Sequence, residues 1–498
     1  MRWPLAGLIF IAVALAAVIA LLALKWPFTR SAILKSLAEE SQGQVSIGEF
    51  HQTFFPSPGC ILRDIVIHHG SDRGTPPLIT AERVTVTGSY SGLITFSKRL
   101  QQIHVEGMHI RIPRGESASD SNGTRPAGKS SGAMVSADRL IAERTVLEFA
   151  PKEANGEPFV IQIHRTVLAP ASSTAAMSFE AALRIPEPPG EIEAKGSFGP
   201  WRKADAFETP VSGTYRFEHA DLGKFHGIAG TLASTGQFQG VLQRIGVRGV
   251  TDVTGFEVEG TAHRLDLKAE FQARVDGRTG DVSLNKVDVK FLRTQVVSEG
   301  AVASLAPGDS KTVSLDMAVN RGLIQDLLRL VSSGPPGLSG SVNLRFKVQL
   351  PPGDAPFLQR LKLTGQMGVA DAKFTKRETQ EGLEHISFNA QHGEDNPADV
   401  VSDLKGRVSV ANGVATLTGL TFNVPGASAA MSGTYHLITH RVDLHGQVRL
   451  QEKLSQTTTG IKSFLLKALD PFFRKRKHLS VVPIRITGEK GNTSIKLD

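Results

Sequence analysis

Few residues of this chain have the type and spacing that catalysis requires. The zinc motif HExxH and a GxGxxG between a strand and a helix are both absent from the sequence. His68 and His69 are adjacent, but we find no companion ligand set at a metal-binding spacing, which favours exposed histidines of a strand or turn. We therefore expect no metal, no cofactor and no enzymatic activity.

Two other features resemble reactive sites. The segment from Gly123 to Ser130 matches the phosphate-binding pattern GxxxxGKS. Such a loop must follow a buried strand and open a helix, whereas the residues before Gly123 are polar and Gly132 follows almost at once. Cys60 is the only cysteine, which excludes an intrachain disulfide, and its apolar surroundings indicate a small buried residue rather than a nucleophile.

Composition indicates a folded chain rich in short strands. Apolar residues make up 40% of the 498 residues and charged residues 21%, which excludes a mostly disordered protein. The 49 glycines suit many short segments joined by turns. The net charge of +8 favours anionic partners, and no nucleic-acid partner is expected.

The first residues predict a membrane segment. No residue from Leu5 to Leu24 is charged or strongly polar, and about 20 such residues in a helix span a bilayer core of about 30 Å. Trp3 and Trp26 flank this stretch, as interfacial aromatic residues do. A cleavable secretory signal is the alternative, but its apolar stretch is usually only about 7 to 15 residues. We predict an uncleaved anchor over residues 1–28.

The rest of the chain alternates between apolar and polar residues with the period of a half-buried strand. The alternation, interrupted by turn signals, predicts a serial antiparallel arrangement of about 25 to 30 strands. Three short helices are expected, after Thr29, from Gly322 to Val331 and from Gly460 to Phe473.

A repeated phrase favours an elongated array over a compact fold. Ser212–Phe217 reads SGTYRF and Ser432–Leu437 reads SGTYHL. A polar stretch poor in apolar residues predicts a linker at 113–132. We divide the remainder into an N-terminal β region (29–112), middle β repeats (133–400) and a C-terminal region (401–498).

Each of these strands has one apolar face, and the few predicted helices cannot supply the second layer that would cover so many apolar faces. Three arrangements satisfy this need: several sandwiches, a closed barrel, or one curled sheet whose apolar inside meets lipid chains. In the third arrangement the candidate groove-lining residues are Val342, Leu344, Phe346, Val348, Leu350, Leu420, Phe422, Val442, Leu444, Val448 and Leu450.

The predicted C-terminal helix together with the basic residues at its end spans 460–477, and it carries a continuous apolar stripe. It would suit either a lipid interface or a cap over the open end of the sheet. The candidate interface residues are Ile461, Phe464, Leu465, Leu469, Phe472, Arg474, Lys475, Arg476 and Lys477.

The chain resembles the AsmA-like family of envelope proteins, which includes TamB and YhdP. The N-terminal resemblance includes GQVSIG at 43–48, PSPG at 56–59 and AERV at 81–84; the C-terminal one includes VPGA at 424–427, SGTY at 432–435 and VPIRITG at 482–488. These are turns and strand edges rather than catalytic residues.

The resemblance implies an inner-membrane protein whose bulk lies in the periplasm and forms a taco-like repeating β-groove. Its implied partners are phospholipids, the inner membrane and, as a candidate at the far end, an outer-membrane or other envelope protein. We expect lipid transport between the membranes and a part in outer-membrane biogenesis. Two rivals stay open: a scaffold or chaperone for outer-membrane proteins, acting through exposed strand edges, and an envelope hydrolase with an unrecognised nucleophile.

Overall fold

The computed structural model divides into two compact units, which we describe separately. Unit 1 comprises Met1–Glu218 with Gln237–Ile245, and unit 2 comprises His219–Gly236 with Gly246–Asp498. The structure describes residues 27–41, 44–68, 77–94, 99–112, 136–149, 158–171, 175–186, 188–202, 205–225, 227–259, 261, 263–304, 311–331, 334–374, 403–424, 427–450, 481–489 and 492–497.

The predicted mainly β class is confirmed, with few helices in the described ranges. Strands in the first half are β1 Gln44–Thr53, β2 Gly59–His68, β3 Ile79–Thr87, β4 Arg99–Ile112, β5 Ser136–Phe149, β6 Phe159–Ala169, β7 Met177–Pro186, β8 Pro189–Phe198, β9 Pro210–Asp221, β10 Ile228–Val241 and β11 Arg244–Val258. The helices are α1 Arg30–Ser41, α2 Tyr90–Ile94, α3 Ile324–Val331 and α4 Phe357–Arg360.

Unit 2 continues the serial pattern with twelve more strands in the described residues. These are β12 Leu265–Val275, β13 Val282–Phe291, β14 Thr294–Ser304, β15 Lys311–Leu323, β16 Leu338–Leu350, β17 Lys362–Phe374, β18 Asp403–Ala411, β19 Val414–Val424, β20 Ala427–His436, β21 Val442–Leu450, β22 Val481–Glu489 and β23 Asn492–Leu497.

Within each unit, consecutive strands pair to form an open sheet. In unit 1 the pairing runs from β1 to β9, and in unit 2 from β12 to β23. Among the described strands, the outer edges of β1 and β23 have no partner. The curl of the predicted groove stays a prediction.

One strand pair corrects the prediction of a wholly antiparallel meander. β4 and β5 are parallel, with Arg99 opposite Ser136 and Ile112 opposite Phe149. Parallel neighbours need a connection of about a dozen residues or more, and residues 113–135 supply it. A linker of this length is therefore compatible with a crossover between parallel strands as well as with the predicted spacer.

The helix predicted after Thr29 is confirmed as α1. The Thr29 side-chain oxygen accepts a hydrogen bond from the Ala32 backbone N–H at 3.3 Å, as an N-cap does. Ile33, Leu34 and Leu37 pack on a core of unit 1 that includes Ile47, Cys60, Leu62 and Ile65. The predicted helix ending at Val331 is confirmed as α3.

Three predicted elements lie outside the described residues. They are the membrane anchor up to Trp26, the linker at 113–132, and the C-terminal helix at 460–477 with all nine of its candidate interface residues. No helix within the described ranges has both the length and the apolar character needed to cross a bilayer.

The repeated phrase SGTY has a packing reason in both units. Gly213 in β9 and Gly433 in β20 lie so close to a neighbouring strand that an added Cβ would lie 2.3 Å from the Lys195 carbonyl oxygen and 2.1 Å from that of Asp443. Gly433 also has a φ of +153°, which L side chains rarely adopt. The repeat therefore marks close approach between strands.

We expect Gly433→Ala to lower the free energy of unfolding by about 1 to 3 kcal/mol, because the methyl group would overlap the adjacent backbone. Gly368→Ala in β17 is the matched control, since its nearest neighbour would be 3.9 Å away. Urea unfolding followed by circular dichroism measures both. Equal stability of the two variants would contradict this explanation of the repeat.

Candidate functional site

The main candidate surface is the apolar face of the sheet in unit 2. Directly paired residues of neighbouring strands place their side chains on the same face. The pairing aligns one residue from each of twelve strands into what we call the central row: Phe271, Val287, Ser298, Met317, Phe346, Gly365, Val408, Leu417, Gly433, Leu444, Ile486 and Ile495. Ile495 is placed by its backbone pairing alone, because its side chain is outside the described set. At about 4.8 Å per strand, the central row is about 50 Å long.

The same register brings the predicted groove residues onto this face. Phe346 and Leu444 belong to the central row. A second row passes through Val342, Val369, Leu404, Phe422, Ala429, Val448 and Val482. Leu344, Val348, Leu350, Leu420 and Val442 lie on the same face beside these rows. Leu450 pairs with Ala427, and its side chain is outside the described set.

Along β16, burial divides this face into a buried strip beneath α3 and a half-buried strip further along the strand. Val342 is 0% exposed and Leu344 is 8% exposed, because both belong to a core that includes Ile324 of α3. Phe346, Val348 and Leu350, further along the same strand, are only half-buried. Val342 and Leu344 are therefore unavailable to a ligand while α3 is in place, whereas the half-buried strip remains accessible.

Helix α3 is fixed on the sheet by polar contacts of Gln325 and Asp326. Asp326 is 3% exposed and its carboxylate accepts hydrogen bonds from the Arg293 backbone N–H at 3.1 Å and the Thr294 hydroxyl at 2.9 Å. On the other side, the Gln325 side-chain oxygen accepts from the Gly340 N–H at 3.2 Å. Sequence reasoning missed Asp326, although an acidic residue in the first turn of an amphipathic helix was a usable signal.

The opposite face is polar and carries charge pairs between neighbouring strands. Arg485 donates two hydrogen bonds to Asp443, from Nε to Oδ1 at 2.9 Å and from its terminal nitrogen to Oδ2 at 2.8 Å. The hydrogen bond from Arg485 lowers the pKa of the Asp443 carboxyl. Lys347 pairs with Asp316 at 3.6 Å, with both side chains more than half exposed. These solvated pairs indicate a face in contact with water.

A concavity of about 900 Å³ lies across β13 to β19. Most of its lining residues occupy the polar register of these strands, among them Lys286, Glu299, Asp316, Arg345, Lys347, Gln366 and Arg407. The lining also includes five residues of the central row, Ser298, Met317, Phe346, Gly365 and Val408, so the concavity is mainly but not wholly polar.

The residues considered for catalysis do not form a site within the described ranges. Cys60 is fully buried, and burial raises the pKa of its thiol to about 11, which keeps it protonated. His68 is at the end of β2, and His69 lies outside the described residues, as does the segment from Gly123 to Ser130. The described side chains include no group of three or more metal-ligating residues.

Comparisons with known proteins identify no relative. No protein-family model matches the chain, no curated protein matches it significantly, and no solved structure does so either.

We expect Asp326→Ala to lower the free energy of unfolding of unit 2 by about 1 to 3 kcal/mol, because the Thr294 hydroxyl and the Arg293 N–H would lose a buried acceptor. Binding of an apolar dye should rise as α3 leaves the sheet. Asp316→Ala is the control, since the exposed Asp316–Lys347 pair contributes only about 0 to 1 kcal/mol. Similar unfolding curves for the two variants would show that Asp326 does not anchor α3.

Proposed function

We propose that this chain is a membrane-anchored periplasmic protein whose apolar sheet face shields phospholipid acyl chains. The role is non-enzymatic: it supports lipid transport between the inner and outer membranes and outer-membrane biogenesis. The observation that carries the proposal is the central row, which extends across twelve strands of unit 2 with half-buried side chains such as Met317, Phe346 and Leu444.

The energetic argument concerns the exposed apolar surface. Moving one methylene group from water into an apolar environment is worth about 0.8 kcal/mol, so a whole acyl chain in water is strongly unfavourable. A mainly apolar face that extends from strand to strand lowers this barrier along the sheet. Binding must stay diffuse, because a tight pocket would retain its cargo. A long apolar surface of similar residues fits this requirement.

The proposal includes a curled, taco-like form of the sheet, and β-bulges support it. The pairing register shifts in β12 between Gln272 and Ala273, in β15 between Val319 and Gly322, and in β19 between Leu417 and Leu420. Bulges bend strands and increase twist, and they are the usual means by which sheets acquire curvature. A curled sheet would place acyl chains inside and leave headgroups in water along its open side.

The location rests on sequence. The uncharged stretch from Leu5 to Leu24 would anchor the chain in the inner membrane by a single pass, with the β units in the periplasm. The amphipathic stripe at 460–477, with Arg474 to Lys477 at its end, would provide a second contact with anionic lipid. An outer-membrane or envelope protein would receive lipid at the far end.

The alternative function, a scaffold for outer-membrane proteins, is favoured by the unpaired outer edges of β1 and β23 among the described strands. Such edges can add a strand from another polypeptide. Cargo distinguishes the two functions, because a scaffold would co-purify with unfolded barrel protein and a lipid carrier with phospholipid.

We expect Phe346→Asp to reduce phospholipid loading strongly, because it puts a charge on the apolar face. Lys347→Asp changes the adjacent, exposed position on the opposite face and should leave loading near the original level. Lipid extracted from the purified full-length variants is measured by phosphate analysis, with circular dichroism to verify folding. Equal loading of the two variants, or no lipid on the unchanged chain, would overturn the proposal.

A further inference from the structure

Three aromatic side chains at one end of unit 1 are exposed to solvent. Phe54 is 56% exposed and Phe55 is 90% exposed, in the loop between β1 and β2, and Tyr90 at the start of α2 is 40% exposed. Large apolar side chains grouped in this way are unusual on a surface that faces only water. We call Phe54, Phe55 and Tyr90 the aromatic tip.

Hydrogen bonds hold the aromatic tip together. The Tyr90 hydroxyl donates to the Phe54 carbonyl oxygen, which joins the β1–β2 loop to the first residue of α2. The Gly88 N–H donates to the Pro58 carbonyl oxygen at 2.7 Å and links the same two segments. The Ser89 hydroxyl accepts from the Gly92 N–H at 3.0 Å and caps α2. The aromatic tip therefore has a defined place in unit 1.

The chain enters unit 1 at the same end. Phe28 is 3% exposed, and its ring packs so closely on Gly88 that an added Cβ there would lie 2.8 Å from it. Only Lys25, Trp26 and Pro27 separate Phe28 from the apolar stretch that ends at Leu24. Because each residue spans at most about 3.6 Å, Phe28 is within about 14 Å of Leu24.

We propose that the aromatic tip inserts into the interface of the lipid bilayer in which the N-terminal stretch is anchored. The inference rests on the proposed membrane anchor but not on lipid transport. Phe28 fixes one end of unit 1 close to the bilayer surface, and Phe54, Phe55 and Tyr90 are exposed at that end. Tyrosine is favoured at the headgroup level because it combines an apolar ring with a polar hydroxyl, and phenylalanine is apolar enough to enter the boundary with the acyl chains. The contact holds unit 1 at a fixed orientation to the membrane.

The test places a thiol-linked, environment-sensitive fluorophore at single positions of the full-length chain. Phe55→Cys reports on the aromatic tip, and Leu24→Cys reports on the end of the anchor. Gln44→Cys is the matched control, because it is exposed at the opposite end of β1, about 30 Å from Thr53. Native Cys60 is buried and should take no label, which the unsubstituted chain verifies.

Each labelled chain is reconstituted in mixed phosphatidylcholine–phosphatidylglycerol vesicles containing a lipid-attached quencher. We expect blue-shifted emission and loss of most fluorescence at position 55, and neither change at position 44. If position 55 behaves like position 44, the proposal is overturned, and the aromatic tip faces water or a protein partner. If position 24 is quenched while position 55 is not, the N-terminal stretch is in the membrane and only the insertion of the aromatic tip is contradicted. If position 24 is not quenched either, the membrane anchor is contradicted as well.

Discussion

Antiparallel pairing between consecutive strands places directly opposed residues on one face of a sheet, and this constraint organises unit 2. It converts short alternating segments, far apart in sequence, into the continuous central row from Phe271 to Ile495. The sheet has one apolar face, and α3 is the described helix that packs on it through the core around Val342 and Val369. Val482 and Ile484 form a second, smaller buried cluster on this face, and the proposed lipid function depends on the residues that are half-buried, such as Phe346 and Leu444.

The sequence was sufficient to predict strands but not their alignment. Alternation in β16 and β21 was visible, and it identified Phe346 and Leu444 as residues of one apolar face. Simple alternation puts Leu417 on the opposite face from Leu420, whereas a bulge between them brings both to the apolar side. Bulges depend on the pairing partner, which a single strand sequence does not contain. The parallel pair of β4 and β5 and the buried Asp326 differ from the bulges, because the long connection after β4 and the acidic residue in the first turn of α3 were visible in the sequence.

The two strips of the apolar face have different physical roles. Beneath α3, residues such as Val342 and Leu344 are buried and stabilise the fold. The central row consists mainly of larger side chains but includes two glycines, Gly365 and Gly433, where neighbouring backbones approach closely. In the proposed function, stability and lipid binding therefore depend on adjacent parts of one sheet, while charge pairs such as Asp443 with Arg485 lie on its polar face.

The most direct test of the central claim is a photo-crosslinking scan along β21 with phospholipid present. A photoreactive amino acid is placed in turn at each position from Val442 to Arg449 of the full-length chain except Gly446, where an added Cβ would lie 2.1 Å from the Ala430 carbonyl oxygen. If acyl chains cover the apolar face, lipid adducts form with a period of two, at Val442, Leu444 and Val448 but not at Asp443, His445 or Gln447. Adducts without this period, or none at any position, would contradict the account.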